Sequence, residues 1–127
     1  MTKHEAVRIV RQAKSSHIRW RAYVQAELAG LEIEATRAPL NHKECDFGQW
    51  IYHYGFAAFG HWSLFQDIEY EHELLHAVYL LIHQALQDGD LGRAREIGPQ
   101  LVGISHSLLE TIDLLLEEIL SSSQEEF

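Results

Sequence analysis

The sequence of 127 residues contains a single cysteine and no apolar run that approaches the length of a membrane span. One thiol cannot form a disulfide within the chain, so nothing requires an oxidising compartment. A membrane-spanning helix needs about 20 consecutive apolar residues, and the amino terminus lacks the hydrophobic stretch of a signal peptide. These absences predict a cytoplasmic protein that does not insert into membranes.

Basic residues are scarce beyond the first 21 positions. The formal net charge is −9, yet residues 1–21 carry six lysine and arginine residues against one acidic residue, Glu5. A basic helix can bind nucleic acid, but the acidic remainder would repel a polyanion, and no aromatic residue alternates with the basic ones before Trp20. The pattern argues against nucleic-acid binding. It favours a solvated helix face that can complement an acidic surface of a second subunit.

Prolines and glycines are few, and apolar residues recur at helical spacing through most of the chain. No segment shows the two-residue alternation of a half-buried strand. Pro99 is expected to kink the last helix or to mark its true start. The chain is therefore predicted to be one all-α domain over residues 1–127, an antiparallel bundle of about four helices. The spacing places helices over 2–29, about 45–58, about 62–87 and 91–121, with turns at 36–41 and 88–90.

The last predicted helix has a wider apolar face than the bundle alone requires. From Leu101 to Ile119 a stripe with one polar member, Ser105, repeats in steps of four and three, as in a coiled-coil seam, and further leucine and isoleucine residues widen it. We therefore expect residues 91–121 to pack in the bundle and also against something else, which makes this helix the candidate dimerisation surface of a homodimer. The tail at 121–127 is polar and is expected to fray.

Four residues have the chemistry and the spacing of a metal site. His72 and His76 lie four residues apart, which stacks them on one helix face with Cβ atoms about 5–6 Å apart. His17 lies on the inward stripe of the first helix, and Cys45 begins the short aromatic-rich helix. Zinc prefers four nitrogen and sulfur ligands in a tetrahedron. One thiolate and three imidazoles would fill that shell, so the four residues predict a closed Zn²⁺ site.

Each of these residues alone has a simpler interpretation. A histidine on an apolar stripe is more often a hydrogen-bonded core residue, and a lone buried cysteine behaves as a small hydrophobic residue. The run His72-Glu73-Leu74-Leu75-His76 also matches the zinc-protease motif, in which the glutamate acts as a base. That enzyme class needs an open coordination position and a strand edge for the peptide, and the sequence offers a sulfur ligand and no convincing strand.

A di-iron carboxylate site is the second alternative, because Glu69-x-x-His72 and Glu73-x-x-His76 both fit the Glu-x-x-His element. Such sites place this element on two different helices, whereas here the two copies overlap on one. No other histidine is assigned to metal. His83 is the strongest spare ligand, and His53 and His61 are expected to orient the ligands from an outer shell. Surface, cap or fraying positions are expected for His4, His42 and His106.

Three elements of the sequence resemble a known family. They are His17-Ile18-Arg19-Trp20, Cys45-Asp46-Phe47-Gly48-Gln49-Trp50 and His72-Glu73-Leu74-Leu75-His76. Together they resemble the signature of the chemoreceptor zinc-binding (CZB) domain: a histidine with an aromatic residue shortly after it, a Cys-x-hydrophobic-Gly-x-aromatic element and a His-x-x-x-His pair. The resemblance spans about residues 10–90. It implies that His17, Cys45, His72 and His76 bind zinc, in agreement with the spacing argument.

The resemblance also implies a role. CZB domains are bacterial cytosolic modules, commonly attached to chemoreceptors or diguanylate cyclases, that act as zinc-dependent or oxidant-sensitive regulators and tend to be dimeric. We therefore expect a regulatory domain rather than an enzyme, with a partner in chemotaxis or cyclic-di-nucleotide signalling. The chain has no recognisable output domain, and its starting methionine and last helix favour a free-standing protein. Two matters stay open: the signal (zinc, hypochlorous acid or another oxidant) and the alternative that zinc only staples a dimerisation or adaptor module.

Overall fold

The computed structural model describes residues 1–31 and 41–127, and helices account for nearly all of this part of the chain. Within it, the only extended pairing is an isolated antiparallel bridge between Thr2 and Glu126. The prediction of an all-α bundle with about four helices is confirmed. Most of the predicted turn at 36–41 lies outside the described residues. The elements are α1 (Lys3–Leu28), α2 (Asp46–Trp50), a π-helical turn (Ile51–Gly55), α3 (Phe56–Phe59), α4 (Ser63–Gln87) and α5 (Leu91–Ser121).

The helix boundaries follow from local chemistry. The Thr2 side chain accepts a hydrogen bond from the Glu5 backbone N–H, and the Glu5 side chain accepts one from the Thr2 backbone N–H. This reciprocal pair satisfies two of the donors that a helix start leaves open. Before α5, Gly89 adopts a φ of 74°, which favours glycine, and the Asp90 side chain accepts from the Arg93 backbone N–H. The predicted boundaries of the long helices agree with these ends to within one or two residues.

Helix α5 runs antiparallel to both α1 and α4. Lys3, at the start of α1, donates through Nζ to the Ser122 carbonyl at the end of α5 (2.6 Å). At the other end, Arg95 donates through Nε to the Leu28 carbonyl (3.2 Å). Since α4 and α5 are joined by a short turn, α4 is also antiparallel to α5. Helices α1 and α4 therefore run in the same direction, each packed against α5.

One expectation about the carboxy-terminal part is narrowed, and another was wrong. Helix α5 starts at Leu91 and continues past Pro99, so the proline does not mark its beginning, and the alternative of a kink stays a prediction. The tail does not fray: the Phe127 ring packs against the rings of Phe59 and Trp62, with centroids 4.8 and 5.9 Å away. The Phe127 backbone N–H also donates to the Met1 carbonyl (2.8 Å). The packing of the Phe127 ring therefore holds the polar tail against the start of the chain. His4, which was expected to lie in a fraying terminus, lies in the first turn of a capped helix.

The core is formed by the inward stripes of the three long helices. Almost every position predicted to face inward is buried, including all six predicted positions of α5 from Leu101 to Ile119. Only Leu28, His83 and Leu86 are half-buried instead. The buried polar residues of the described chain are few, and three of them are imidazoles. They are His17, His72, His76, Ser105 and Thr111.

The short aromatic-rich helix predicted over about 45–58 is confirmed as a continuous helical segment over 46–59, and it contains a π turn that was not predicted. Among its buried residues, Phe47, Ile51, Gly55 and Phe59 recur in steps of four, and Gly48 and Trp50 are buried beside them. In an α-helix each step of four overshoots a full turn by about 40°, so such a stripe would wind off its face. The Phe56 backbone N–H instead reaches the Ile51 carbonyl in a wider π turn. This turn compensates for the drift and keeps the four residues on the side that faces the bundle.

None of the helices in the described residues combines the length and the apolar character needed to cross a membrane.

Candidate metal centre

Four predicted residues from three segments meet at one point in the core. One donor atom from each of His17, Cys45, His72 and His76 can be chosen so that all four lie within 4.8 Å of one another. The three imidazoles expose 2% or less of their surface, and Cys45 exposes 9%. Helix α1 supplies His17, the residue immediately before α2 supplies the thiol, and α4 supplies the remaining pair. The structure thus brings together all four residues that the sequence singled out.

The spacing of these donors suits a tetrahedral ion. With Zn–N near 2.0–2.1 Å and Zn–S near 2.3 Å, tetrahedral geometry places two nitrogen ligands about 3.3 Å apart and a nitrogen and a sulfur about 3.6 Å apart. The observed separations are 3.1 Å between the Nε2 atoms of His17 and His72, and 3.7 Å between Cys45 Sγ and His17 Nε2. Two ring nitrogens that face each other this closely require a shared proton or a common cation. The residues present therefore fit a zinc ion.

The orientation of His17 is set by its own helix. Its Nδ1 lies 2.7 Å from the Ala13 carbonyl oxygen one turn earlier. A carbonyl can only accept, so Nδ1 carries the proton and the Nε2 lone pair faces the other three donors. A backbone or carboxylate partner of this kind fixes the tautomer and raises the basicity of a metal-binding imidazole. This contact was not predicted from the sequence. The signal for it was that any histidine inside a helix has the carbonyl of the residue four positions earlier within reach of its Nδ1 atom.

Aromatic rings separate the four donors from water. The Trp20 ring lies 5.2 Å from the His76 ring, and the Phe47 ring lies 5.7 and 5.3 Å from those of His17 and His72. Trp50 stacks on the far side of Phe47 at 5.9 Å and so contributes to the wall from behind it. In such an apolar enclosure an uncompensated charge is costly, whereas a cation bound to a thiolate is well accommodated.

Burial also sets the protonation of the ligands. It lowers the pKa of His17, and for His72 burial together with the neighbouring imidazoles of His17 and His76 lowers the pKa further. The two histidines are therefore neutral near pH 7, the form that binds metal. Burial raises the pKa of the Cys45 thiol, while the backbone N–H groups of Phe47 and Gly48 oppose that effect. The thiol consequently holds its proton until a cation replaces it, so metal binding releases a proton from sulfur.

Gly48 permits the closest backbone approach near the site. A Cβ at this position would lie 1.6 Å from the His42 carbonyl oxygen and 3.3 Å from His72 Cε1. Only a glycine leaves room for both neighbours. Gly48 thus allows a close approach of the backbone that precedes Cys45. This contact fixes the thiol-bearing segment against α4.

The remaining histidines lie outside the group of four. His83 is half-buried, with its ring 6.2 Å from that of Tyr79. His53 and His61 are exposed, and their ring contacts are with Tyr54 and Trp62 rather than with the four donors. The expectation that these two orient the ligands was therefore wrong. His106 is exposed and lies 3.4 Å from Glu110, in agreement with its predicted surface position.

His42 lies closer to the buried group than its sequence position predicted. Its ring is half-buried and lies 6.3 Å from the His72 ring and 5.8 Å from the Tyr52 ring. It was expected to be an ordinary surface or cap residue. The available signal was Gly48, because a glycine beside the cysteine indicates that another segment approaches closely, but the sequence does not tell which one.

A comparison with protein families matches residues 17–80 to the chemoreceptor zinc-binding domain, which is just over half of the chain. The chain belongs to this family. CZB is a regulatory zinc-binding family rather than an enzyme family, and its members usually occur in signalling proteins. No curated protein and no solved structure matches the chain. The matched range contains all four residues of the buried group, and the two findings together fit a zinc-binding domain.

The geometry of the donor group also bears on the di-iron carboxylate site and the zinc-protease site. The donor group contains a thiol and no carboxylate, which does not suit a di-iron carboxylate centre. A catalytic zinc keeps one position open for water, whereas here a fourth protein donor stands beside the histidine pair. Glu73, the base of the zinc-protease motif, is exposed rather than directed into this buried group. Both observations favour a closed site.

Proposed function

We propose that this chain is a regulatory domain that binds one zinc ion through His17, Cys45, His72 and His76, and that the zinc-bound thiolate responds to an oxidant or to zinc availability. The observation that carries the proposal is the buried group of one thiol and three imidazoles, whose donor atoms lie within 4.8 Å of one another. Family membership supports the metal and the regulatory role. The whole chain would act as one domain that controls a signalling partner.

The ligand set explains why the sulfur would be the sensitive position. Three neutral imidazoles and one thiolate leave a zinc complex with a net charge of about +1, so Cys45 supplies the only anionic ligand. Bound zinc holds the sulfur as a thiolate, the form that oxidants attack. Hypochlorous acid converts a thiolate into sulfenic acid and chloride, which removes the anionic ligand. Because Cys45 immediately precedes α2, its release would free the start of that helix.

The first experiment measures zinc per chain by elemental analysis. We expect one zinc per chain, and loss of that zinc in Cys45→Ser and in His72→Ala. The matched control is His53→Ala, which removes an exposed histidine that does not belong to the group. Iron in place of zinc, or a folded protein that binds no metal, would rule out the proposed site.

A second experiment separates a sensor from a structural staple. The zinc-loaded protein is treated briefly with hypochlorous acid while a chromogenic chelator reports free zinc and mass spectrometry reports the state of Cys45. A sensor releases its zinc with Cys45 oxidised. The staple alternative is favoured by the 9% exposure of Cys45 and by the way the four residues tie three segments together. Zinc that survives the treatment would reject an oxidant sensor, and the staple would then compete with a sensor of zinc availability alone.

The partner and the assembly belong to the same proposal. We propose a cytoplasmic homodimer that acts on a chemotaxis or cyclic-di-nucleotide signalling protein. Exposed leucines on α4 and α5 support the dimer: Leu81 exposes 46% of its surface and Leu114 and Leu120 each expose 50%. Sedimentation of the wild type and of Leu114→Glu tests it, since a charge on a buried dimer face should give monomers. A monomeric wild type would contradict this part of the proposal.

A further inference from the structure

A small cavity opens beside the metal centre. Its volume is about 360 Å³, and its wall includes His42, Glu73, His76 and Leu80. His76 is the member of the buried donor group that takes part in this wall, while His42 is half-buried and Glu73 is exposed. The cavity therefore reaches one member of the buried group, and an imidazole and a carboxylate that do not belong to the group line the same cavity.

The other large cavity near the centre is unsuited to a cation. It has a volume of about 760 Å³, lies along α1, and is lined by Arg8, Arg11 and Arg19 together with Asp46. A cleft with three cationic side chains raises the energy of an approaching divalent cation. None of the four donor residues forms part of its wall. Entry of a metal ion from that side is therefore disfavoured by charge, and no donor residue lines it.

The charges around the smaller cavity have the opposite balance. Glu73 lies on its wall, and Glu69, one turn earlier on α4, accepts a hydrogen bond from the Tyr52 hydroxyl at 2.9 Å. Tyr52 in turn contacts the His42 ring. The nearby Lys43 ammonium lies 5.7 Å from the Tyr52 ring centroid, so one cation faces two carboxylates. The net negative charge attracts a divalent cation to this opening.

The backbone holds His42 in place at the opening. Its carbonyl fills the space that a Cβ of Gly48 would occupy, and its ring lies 6.3 Å from that of His72. An imidazole so positioned supplies a nitrogen donor close to the buried group, and Glu73 supplies an oxygen donor on the same wall. Imidazole nitrogen and carboxylate oxygen are both zinc ligands. Neither residue belongs to the group of four, which leaves them available to an ion in transit.

We propose that this cavity is the entry and exit site for the metal ion, where His42 and Glu73 bind zinc transiently and pass it to and from His76. The inference rests on the proposed zinc binding and adds a route to it. Each ligand bond that breaks is replaced by one that forms, so the ion does not cross an apolar wall with its charge uncompensated. Removing a transient ligand raises the free-energy barrier to zinc movement through the cavity by the same amount for uptake and for release. Uptake and release should both slow, and the equilibrium affinity should stay unchanged.

The test compares metal-exchange rates of the full-length, reduced protein. Uptake is measured by mixing the metal-free protein with zinc ions, and release by mixing the zinc-loaded protein with excess chromogenic chelator. The variants are His42→Ala and Glu73→Gln, with His53→Ala and Glu96→Gln as controls at exposed positions outside the cavity. We expect uptake and release to slow by the same factor, about tenfold, in the cavity variants, which corresponds to about 1.4 kcal/mol added to the exchange barrier by loss of the ligand. The control variants should exchange zinc at the wild-type rate.

Three outcomes would overturn the inference. Rates in His42→Ala and Glu73→Gln that equal those of the controls exclude a portal at this cavity. A drop in affinity that matches the drop in uptake identifies a resident contribution to binding instead of a transient one. The third outcome is that the slower exchange of His42→Ala returns to the wild-type rate at 1 M salt. The Debye length there is about 3 Å, so long-range electrostatic attraction of zinc is screened while direct binding to the His42 ring is not. If His42→Ala does not fold, Glu73→Gln carries the test, since that side chain is exposed.

The result separates this inference from the function on which it rests. A protein that binds no zinc contradicts both the proposed function and the portal. A protein that binds one zinc through the four residues and exchanges it at unchanged rates in the cavity variants contradicts the portal alone.

Discussion

Gly48→Ala puts a methyl group into space that the backbone of His42 already fills. The added Cβ would lie 1.6 Å from the His42 carbonyl oxygen, whereas real Cβ atoms essentially never come closer than 3.0 Å to another heavy atom. One of the two backbones must therefore move by about 1.4 Å. The displaced atoms belong to a carbonyl and not to a flexible side chain, so the strain cannot be relieved by a rotamer change.

The expected magnitude follows from two opposing terms. Overpacking of this kind costs about 1–3 kcal/mol, and alanine in a helix gains about 0.5–1 kcal/mol over glycine. We therefore expect a net loss of about 1–2 kcal/mol in the free energy of unfolding. For an m-value near 2 kcal/mol/M, the urea midpoint falls by about 0.5–1 M. The measurement uses metal-free protein, so that packing is separated from zinc binding.

Gly103→Ala is the matched control. This glycine also lies in a helix, and nothing stands within 4 Å of the Cβ that would be added. Its substitution should raise the midpoint, because only the backbone term remains. If Gly48→Ala were as stable as the wild type or more so, the close approach of His42 would be absent in solution. The account of how the thiol-bearing segment is fixed would then be wrong.

Three further substitutions test other parts of the fold by urea or thermal unfolding. Tyr79→Phe removes the hydrogen bond that the hydroxyl donates to Glu27 (2.5 Å) and should cost about 1.5 kcal/mol. Burial and Glu27 raise the pKa of Tyr79, so the wild type should lose stability above about pH 10, where the phenol of the unfolded chain ionises. Tyr79→Phe should lose less stability over the same pH range. An equal dependence of unfolding free energy on pH in the two proteins would contradict this. Phe127→Ala should lower the free energy of unfolding by about 1–2 kcal/mol. Gln124→Ala, at an exposed position of the same tail, should have no effect. Equal melting temperatures for the two variants would show that the tail does not pack. Pro99→Ala should stabilise α5 by up to about 3 kcal/mol, and a lower urea midpoint would refute that expectation.

The sequence predicted the long helices and the buried donor group because both depend on spacing. In α4, His72 and His76 share the apolar stripe of Ile68 and Leu75, so the periodicity that defines the helix also directs the imidazoles inward. Cys45 was identified as a ligand because three histidines leave one position of a tetrahedral zinc site to be filled, and Cys45 is the only cysteine in the sequence. Their meeting point required three segments to converge, and the structure brings them together.

The features that the sequence did not predict depend on contacts between distant residues. His42 acquires its place from a carbonyl that enters the space above Gly48, and no local pattern identifies that partner. The tail was expected to fray because its composition is polar, yet the position of Phe127 is decided by two rings more than sixty residues earlier in the chain. His53 and His61 were misplaced for different reasons: His53 lies inside the π turn, which was not predicted, and His61 lies in the connection after α3.

The π turn at Ile51–Gly55 holds one residue more than a plain α-helix would need to bring Phe47 and Phe59 to the same face. With plain α-helical winding and no deletion, the chain from Phe47 to Phe59 would end about 120° off a whole number of turns, and the thiol before α2 would face away from the imidazoles. Deleting one residue as well would leave it only about 20° off. A segment one residue shorter with plain α-helical winding would therefore present Cys45 to the same imidazoles, and the exposed positions Tyr52, His53 and Tyr54 are where the chain can lose that residue.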